Sequence, residues 1–178
     1  MKTSLYQSYI TLALLFLFFS CSGPKQKVTS QYLSSLVSVQ LLTPKQVSLN
    51  TYIALSEFEQ MKGLSGTKPE SFIDTDAMLF FNENDQTRSF WMPDTYFNLD
   101  IFFLDKNFKV LFLERDVPHH PGRENLESVY RTGHYNCRHV LELKHSSVSQ
   151  SINVGDKLEW GSKPSVLDEI KSKAHLQQ

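Results

Sequence analysis

Residues 77–117, AMLFFNENDQTRSFWMPDTYFNLDIFFLDKNFKVLFLERDV, constrain the fold more than any other part of the chain. Eight of the 13 phenylalanines and one of the two tryptophans fall there. Short apolar runs at 78–81, 87–92, 99–104 and 108–115 are divided by the turn-forming segments 82–85 and 105–107. Runs of this length bounded by Asn, Asp and Lys read as strands. The gaps between them are too short for crossover helices, so neighbouring strands are expected to be antiparallel. One polar elbow, Trp91-Met92-Pro93-Asp94-Thr95, interrupts the pattern.

The flanking sequence extends the same reading. Residues 36–42 form a strand broken by Thr43-Pro44, and 47–55 alternate apolar and polar side chains with the period of a half-buried strand. Ser56 followed by Glu59 has the spacing of a capping box, and Gly63 closes a helix of about two turns. Residues 116–131 are polar and contain two prolines, two histidines and a glycine, which suits a long surface loop. A strand at 138–143, a short helix at 145–151 and a last strand ending at Trp160 follow. With 40% hydrophobic and 12% aromatic residues the chain can bury a core. The expectation is mainly β: one compact antiparallel barrel- or sandwich-like domain over 36–160 with one or two short helices, then a tail over 161–178 that is helical or frayed.

The N-terminus gives an address. Lys2, the apolar run 10–19 and the small residue Ser20 have the order of a secretory signal peptide over 1–20. The run is about half of the ~20 residues that a spanning helix needs. Phe18-Phe19-Ser20-Cys21 resembles a bacterial lipobox, although Phe18 stands where Leu is usual. Cys21 is therefore the expected lipidation site, and the polar segment 22–35 the tether from membrane to domain. Ser22 after the cysteine, by analogy with lipoprotein sorting in Gram-negative bacteria, favours the outer membrane facing the periplasm. The expected partners are the membrane, through the lipid on Cys21, and a small ligand or envelope protein. A net charge of -1 without a basic cluster argues against nucleic acid. No cofactor is expected, because no phosphate loop, HExxH, GxSxG or EF-hand pattern occurs.

Four segments carry a family resemblance: Lys62-Gly63-Leu64, Ala77-Met78-Leu79-Phe80-Phe81, Phe90-Trp91-Met92-Pro93-Asp94-Thr95 with Leu99-Asp100-Ile101, and Val140-Leu141-Glu142-Leu143 with Val154-Gly155-Asp156. In this order the chain resembles the DUF192 family of uncharacterised bacterial and archaeal proteins, over roughly 47–160. Ser65, Ala77 and Pro93-Asp94 depart from the family pattern. The resemblance implies a compact β-rich fold with small helices. It implies no activity and carries over no catalytic residue.

The residues themselves offer three sites. In the first, Trp91, Met92 and Phe97 floor a cleft whose polar groups are Asp94, Thr95 and Asp100, the usual make-up of a small-ligand pocket. The structural counterpart is a lock, in which Asp100 accepts backbone N–H groups or the Thr95 hydroxyl and Asp94 closes a turn after Pro93. On strand 99–104 Asp100 shares a face with Phe102 and Leu104. In the second, Asp94 and Asp100 act as the acid and base of a small hydrolase-like enzyme. In the third, His134, Cys137 and His139 bind a metal, with Cys137 and His139 on one strand face and a fourth ligand from His119 or His120. Cys137 otherwise reads as a small buried hydrophobe. The leading expectation is a non-enzymatic binding module using the cleft beside Trp91–Thr95.

Overall fold

The computed structural model describes residues 30–161 together with Asp168, Ile170 and Ser172. The expected signal peptide and Cys21 lie outside the described residues, as does most of the tail. A seven-stranded sheet curls into a half-barrel. Its strands are β1 (Val37–Leu42), β2 (Ser48–Ala54), β3 (Asp76–Phe80), β5 (Leu99–Leu104), β6 (Val110–Val117), β8 (His139–Lys144) and β9 (Glu159–Trp160), in the spatial order β6-β5-β8-β3-β2-β1-β9. Two further strands, β4 (Gln86–Arg88) and β7 (Tyr135–Cys137), pair in a small second sheet. The short helices are α1 (Gln31–Ser35), α2 (Glu57–Lys62) and α3 (Ser147–Gln150). The mainly β architecture expected from the sequence is present.

The period of two sorts side chains into two cores. Leu99, Ile101 and Phe103 of β5 join Met78, Phe80 and Val140 on one face, beneath Leu33 of α1 and Phe72. Phe102 and Leu104 join Ala77, Leu79, Leu141 and Leu143 on the other, closed by Ile152, Leu158 and Ile170. Strands β3 and β5 are buried along their whole length, which is why they read as continuous apolar runs.

Two expectations need correction. One pair, β2 with β3, is parallel, with Tyr52 opposite Met78. The connection between them holds α2 and a 3₁₀ turn at Pro69–Ser71, long enough for a crossover. Residues 87–92 do not return along β3. Only Gln86–Arg88 is strand, and it pairs with β7, while β8 takes the place beside β3. The segment 116–131 is largely exposed, as a surface loop is expected to be, and it closes on the elbow. The Asp94 N–H donates to Gly122 O (2.6 Å) and the Thr95 N–H to His120 O (3.1 Å).

Helix α2 begins as the sequence specifies. The Ser56 hydroxyl accepts the Glu59 N–H (3.2 Å), and Glu59 Oε2 accepts the N–H groups of Ser56 (2.9 Å) and Leu55 (2.8 Å). Gly63 ends it at φ +46°, and a Cβ there would stand 3.1 Å from the Phe80 ring. Ser56→Ala is expected to cost about 1 kcal/mol in thermal or urea unfolding, by freeing the Glu59 N–H.

Candidate functional site

A cleft of about 350 Å³ opens beside the elbow. One wall is the end of α2 and the turn after it, residues 60–65, and the other is 87–93. Phe80 of β3, Leu99 of β5 and Glu142 of β8 form the floor. The crossover between β2 and β3 places the first wall over the sheet, and the short β4–β7 ribbon places the second. A larger and shallower cavity of about 690 Å³ adjoins it and shares Gln60, Met61 and Arg88.

The elbow is held by backbone bonds. Besides its bonds to Gly122 and His120, the Asp94 carbonyl accepts the Gly66 N–H (2.8 Å), and the Phe90 carbonyl accepts the Thr132 N–H (2.8 Å). Asp94 adopts φ +56°, a left-handed conformation in which Asp and Asn are enriched. Its carboxylate accepts the Ser65 hydroxyl (3.4 Å) on the cleft rim. Met92 and Thr95 are buried in the cleft wall. Trp91 is 42% exposed at the mouth, with the Arg131 guanidinium 4.4 Å from its ring centroid.

Three of the six expected ligand residues do not line the cleft: Asp94 stands at its rim, and Phe97 and Asp100 lie elsewhere. Phe97 is packed into the core, stacked on Phe72 with ring centroids 5.5 Å apart. Asp100 faces the opposite side of the sheet, as its shared face with Phe102 and Leu104 requires. Its Oδ1 accepts the Asp116 N–H (2.8 Å) and pairs with His145 Nδ1 (2.8 Å), and its Oδ2 accepts Arg115 Nη1 (2.8 Å). Arg115 also donates to the carbonyls of Ser149 and Ile152. Burial pushes the Asp100 carboxyl pKa up, but the bonds from Asp116, His145 and Arg115 outweigh it and hold the group below the usual carboxylate range. Asp100 is therefore a lock, though between β5, β6 and the start of α3 rather than at the elbow. It does not meet Thr95, whose hydroxyl reaches Pro93 O instead (3.5 Å). Asp94 and Asp100 do not form a carboxylate pair.

The His/Cys cluster is not convergent. The chain breaks between β7 and β8 at Arg138, so alternation does not carry across. Cys137 enters the core beneath α1, where burial pushes its thiol pKa up to about 11. His139 lies between the rings of Phe81 (4.6 Å) and Phe108 (4.8 Å) with Nδ1 accepting the Asn82 N–H (3.2 Å). Burial, with Arg138 and Arg88 nearby, lowers its pKa to about 4. His134 is exposed, and His119 and His120 are engaged with Asn98 Oδ1 and Glu124 O. Among the described residues no group of three His, Cys, Asp or Glu side chains is arranged to hold a metal ion.

Two side chains that the sequence reading did not single out dominate the cleft's electrostatics. Glu142 is 5% exposed on the cleft floor. Burial pushes its carboxyl pKa up to about 8. Arg88 Nε is buried without a partner among the described residues, and burial draws its pKa below the usual guanidinium value. The signal for Glu142 was present in the sequence as a carboxylate inside the apolar run VLEL, on the face opposite Leu141 and Leu143. Arg88 carried no such signal, since a lone arginine after a turn is ordinarily solvated.

Solved structures with the same fold exist. A protein of Sinorhizobium meliloti 1021, provisionally described as a transcription regulator, is 22% identical over 69% of this chain and 92% of its own, with a TM-score of 0.54. A protein of unknown function from Novosphingobium aromaticivorans DSM 12444 is 24% identical over 70% of this chain and 85% of its own, with a TM-score of 0.55. At these identities the likeness is one of fold. No curated protein matches the chain. The profile of DUF192, described as an uncharacterized ACR family, matches residues 40–160, which span the cleft, both of its walls and all nine strands except the start of β1. That match covers more than half of the chain, and with the four ordered sequence segments it places this protein in the DUF192 family.

Proposed function

We propose that this protein is a non-enzymatic binding module of the bacterial envelope, anchored through lipid on Cys21, whose cleft beside Trp91, Met92 and Thr95 takes a small ligand. The observation that carries the reading is the cleft itself. It combines apolar side chains (Leu64, Phe80, Phe90, Met92) with polar ones, opens beside a half-exposed tryptophan, and contains one buried polar atom, Arg88 Nε, that the described residues leave without a partner. Native proteins pair nearly all such groups, so an orphan in the cleft wall favours a bound molecule as the missing partner. Asp94 contributes at the rim through Ser65, and Asp100 and Phe97 contribute only through the scaffold.

Two measurements test the proposal. Small molecules retained from an envelope extract are identified by native mass spectrometry on wild type and Trp91→Ala. Trp91→Ala is expected to lose at least tenfold in retention, with a stability change of about 1 kcal/mol or less, the scale of an exposed cation–π contact. Parallel losses in retention and stability would make Trp91 a structural residue only. For the anchor, mass spectrometry of the mature N-terminus is expected to find an acylated chain beginning at Cys21. An unmodified chain with another first residue would remove the lipoprotein from the proposal.

A further inference from the structure

Glu142 sits opposite Met78 of β3 and Ile101 of β5, so both flanking strands present apolar side chains to it. Tyr32 of α1 lies near Glu142, and Lys62 of α2 and Arg88 of β4 line the same cleft. Glu59 is spent on the α2 capping box. The Tyr32 hydroxyl donates to Glu59 O (3.4 Å), and burial, with Glu59 and Glu142 nearby, pushes its pKa up to about 12, so it stays a neutral phenol. Lys62 and Arg88 line the cleft as cations. Glu142 is the sole acid among the residues lining it. An ionised carboxylate without a partner is costly in such surroundings, and the group holds its proton to about pH 8. It then offers one O–H donor and one carbonyl acceptor at the bottom of a cleft whose other lining charges are positive, with the Asp94 carboxylate outside them on the rim.

A cationic ligand would meet Lys62 and Arg88 with no ionised acid in the lining to oppose them. An anion gains from both, and an O–H···O⁻ bond to Glu142 belongs to the short, strong class. The apolar side chains of Leu64, Phe80, Phe90 and Met92 suit a ligand with an apolar portion, and about 350 Å³ sits at the small end of ligand sites. We infer that the cleft binds a small monocarboxylate with an apolar body, its carboxylate accepting the O–H of the buried Glu142 carboxyl in the field of Lys62 and Arg88. The inference rests on the binding role proposed above and names the ligand class for that site. Above about pH 8, binding takes up one proton from solvent, which returns Glu142 to its acid form.

Three probes of one shape and different charge test it: phenylacetate, phenylacetamide and phenethylamine, titrated calorimetrically into wild type and Glu142→Gln between pH 6 and 9. Phenylacetate is expected to bind at least tenfold more tightly than phenethylamine. Its affinity for wild type should fall toward a limiting slope of about tenfold per pH unit as pH rises beyond Glu142's titration. Glu142→Gln keeps a neutral donor, so it should bind phenylacetate with a flat pH profile. Tighter binding of the amine or the amide, or a pH profile shared by wild type and Glu142→Gln, overturns the carboxylate assignment while leaving a ligand-binding cleft. Failure of all three probes to bind at millimolar concentration overturns both the assignment and the binding role.

Discussion

Asp100→Ala is expected to destabilise the protein by about 3 kcal/mol, the scale for removing one partner of a buried, hydrogen-bonded ion pair. Asp100 is fully buried, and its carboxylate gathers the Asp116 N–H, Arg115 and His145. Its loss leaves the Arg115 guanidinium beside the core with only the Ser149 and Ile152 carbonyls, and frees the turn where Asp116 adopts φ +49°. Asp100→Asn keeps the volume but loses the charge, so it should fall between wild type and alanine. The pH dependence has a definite sign. The folded carboxyl pKa lies below the ordinary value, so the stabilisation is complete above the unfolded pKa and is lost as pH falls through the folded one. Urea unfolding of wild type and Asp100→Asn should converge in acid and diverge toward neutrality. Ligand retention measured on the folded fraction should be unchanged, because Asp100 faces away from the cleft.

Glu142 gives the second large effect, with the opposite sign. Its folded pKa is raised to about 8 from an ordinary 4.5, so between those values the folded chain keeps a proton that the unfolded chain has released. Stability is then greatest near or below the unfolded pKa and falls as pH rises, by up to about 1.4 kcal/mol per unit. Over the window this amounts to several kcal/mol. Glu142→Gln is neutral throughout and should match wild type near pH 5 but exceed it by several kcal/mol at pH 9. His139 titrates in the other direction, since its lowered pKa removes stability as pH falls below about 6.5. The difference between wild type and Glu142→Gln cancels that contribution.

Local patterns in the sequence were sufficient for local structure. The Ser56–Glu59 spacing produced the capping box, and the alternation of 99–104 placed Asp100 on the face of Phe102 and Leu104. What alternation along one strand cannot specify is which strand lies alongside. The chain between β2 and β3 carries α2, so it makes a parallel crossover, and β8 enters the sheet between β3 and β5 from far along the chain. That insertion puts Glu142 on the floor of the cleft. It also leaves β4 to pair with β7, which brings Arg88 to the wall. The site was legible only where its residues are contiguous, at Trp91, Met92, Asp94 and Thr95. Grouping Asp100 with them treated nearness in sequence as nearness in space, although its strand face already pointed elsewhere. Cys137 and His139 failed as a pair for a related reason, because Arg138 breaks the strand on which their common face depended.

The two carboxylates now carry opposite roles. Asp100 is partnered within the scaffold, which holds its pKa below the usual carboxylate range, and Glu142 lies on the cleft floor, where burial pushes its pKa up to about 8. A ¹³C NMR titration of the aspartate and glutamate carboxyl groups, assigned with Asp100→Asn and Glu142→Gln, tests both assignments in one experiment on the folded protein. The expected result is a Glu142 midpoint near 8 and an Asp100 midpoint below the ordinary aspartate range. A Glu142 midpoint in the ordinary glutamate range, near 4–5, would mean that the cleft floor is solvated or paired and would contradict the account.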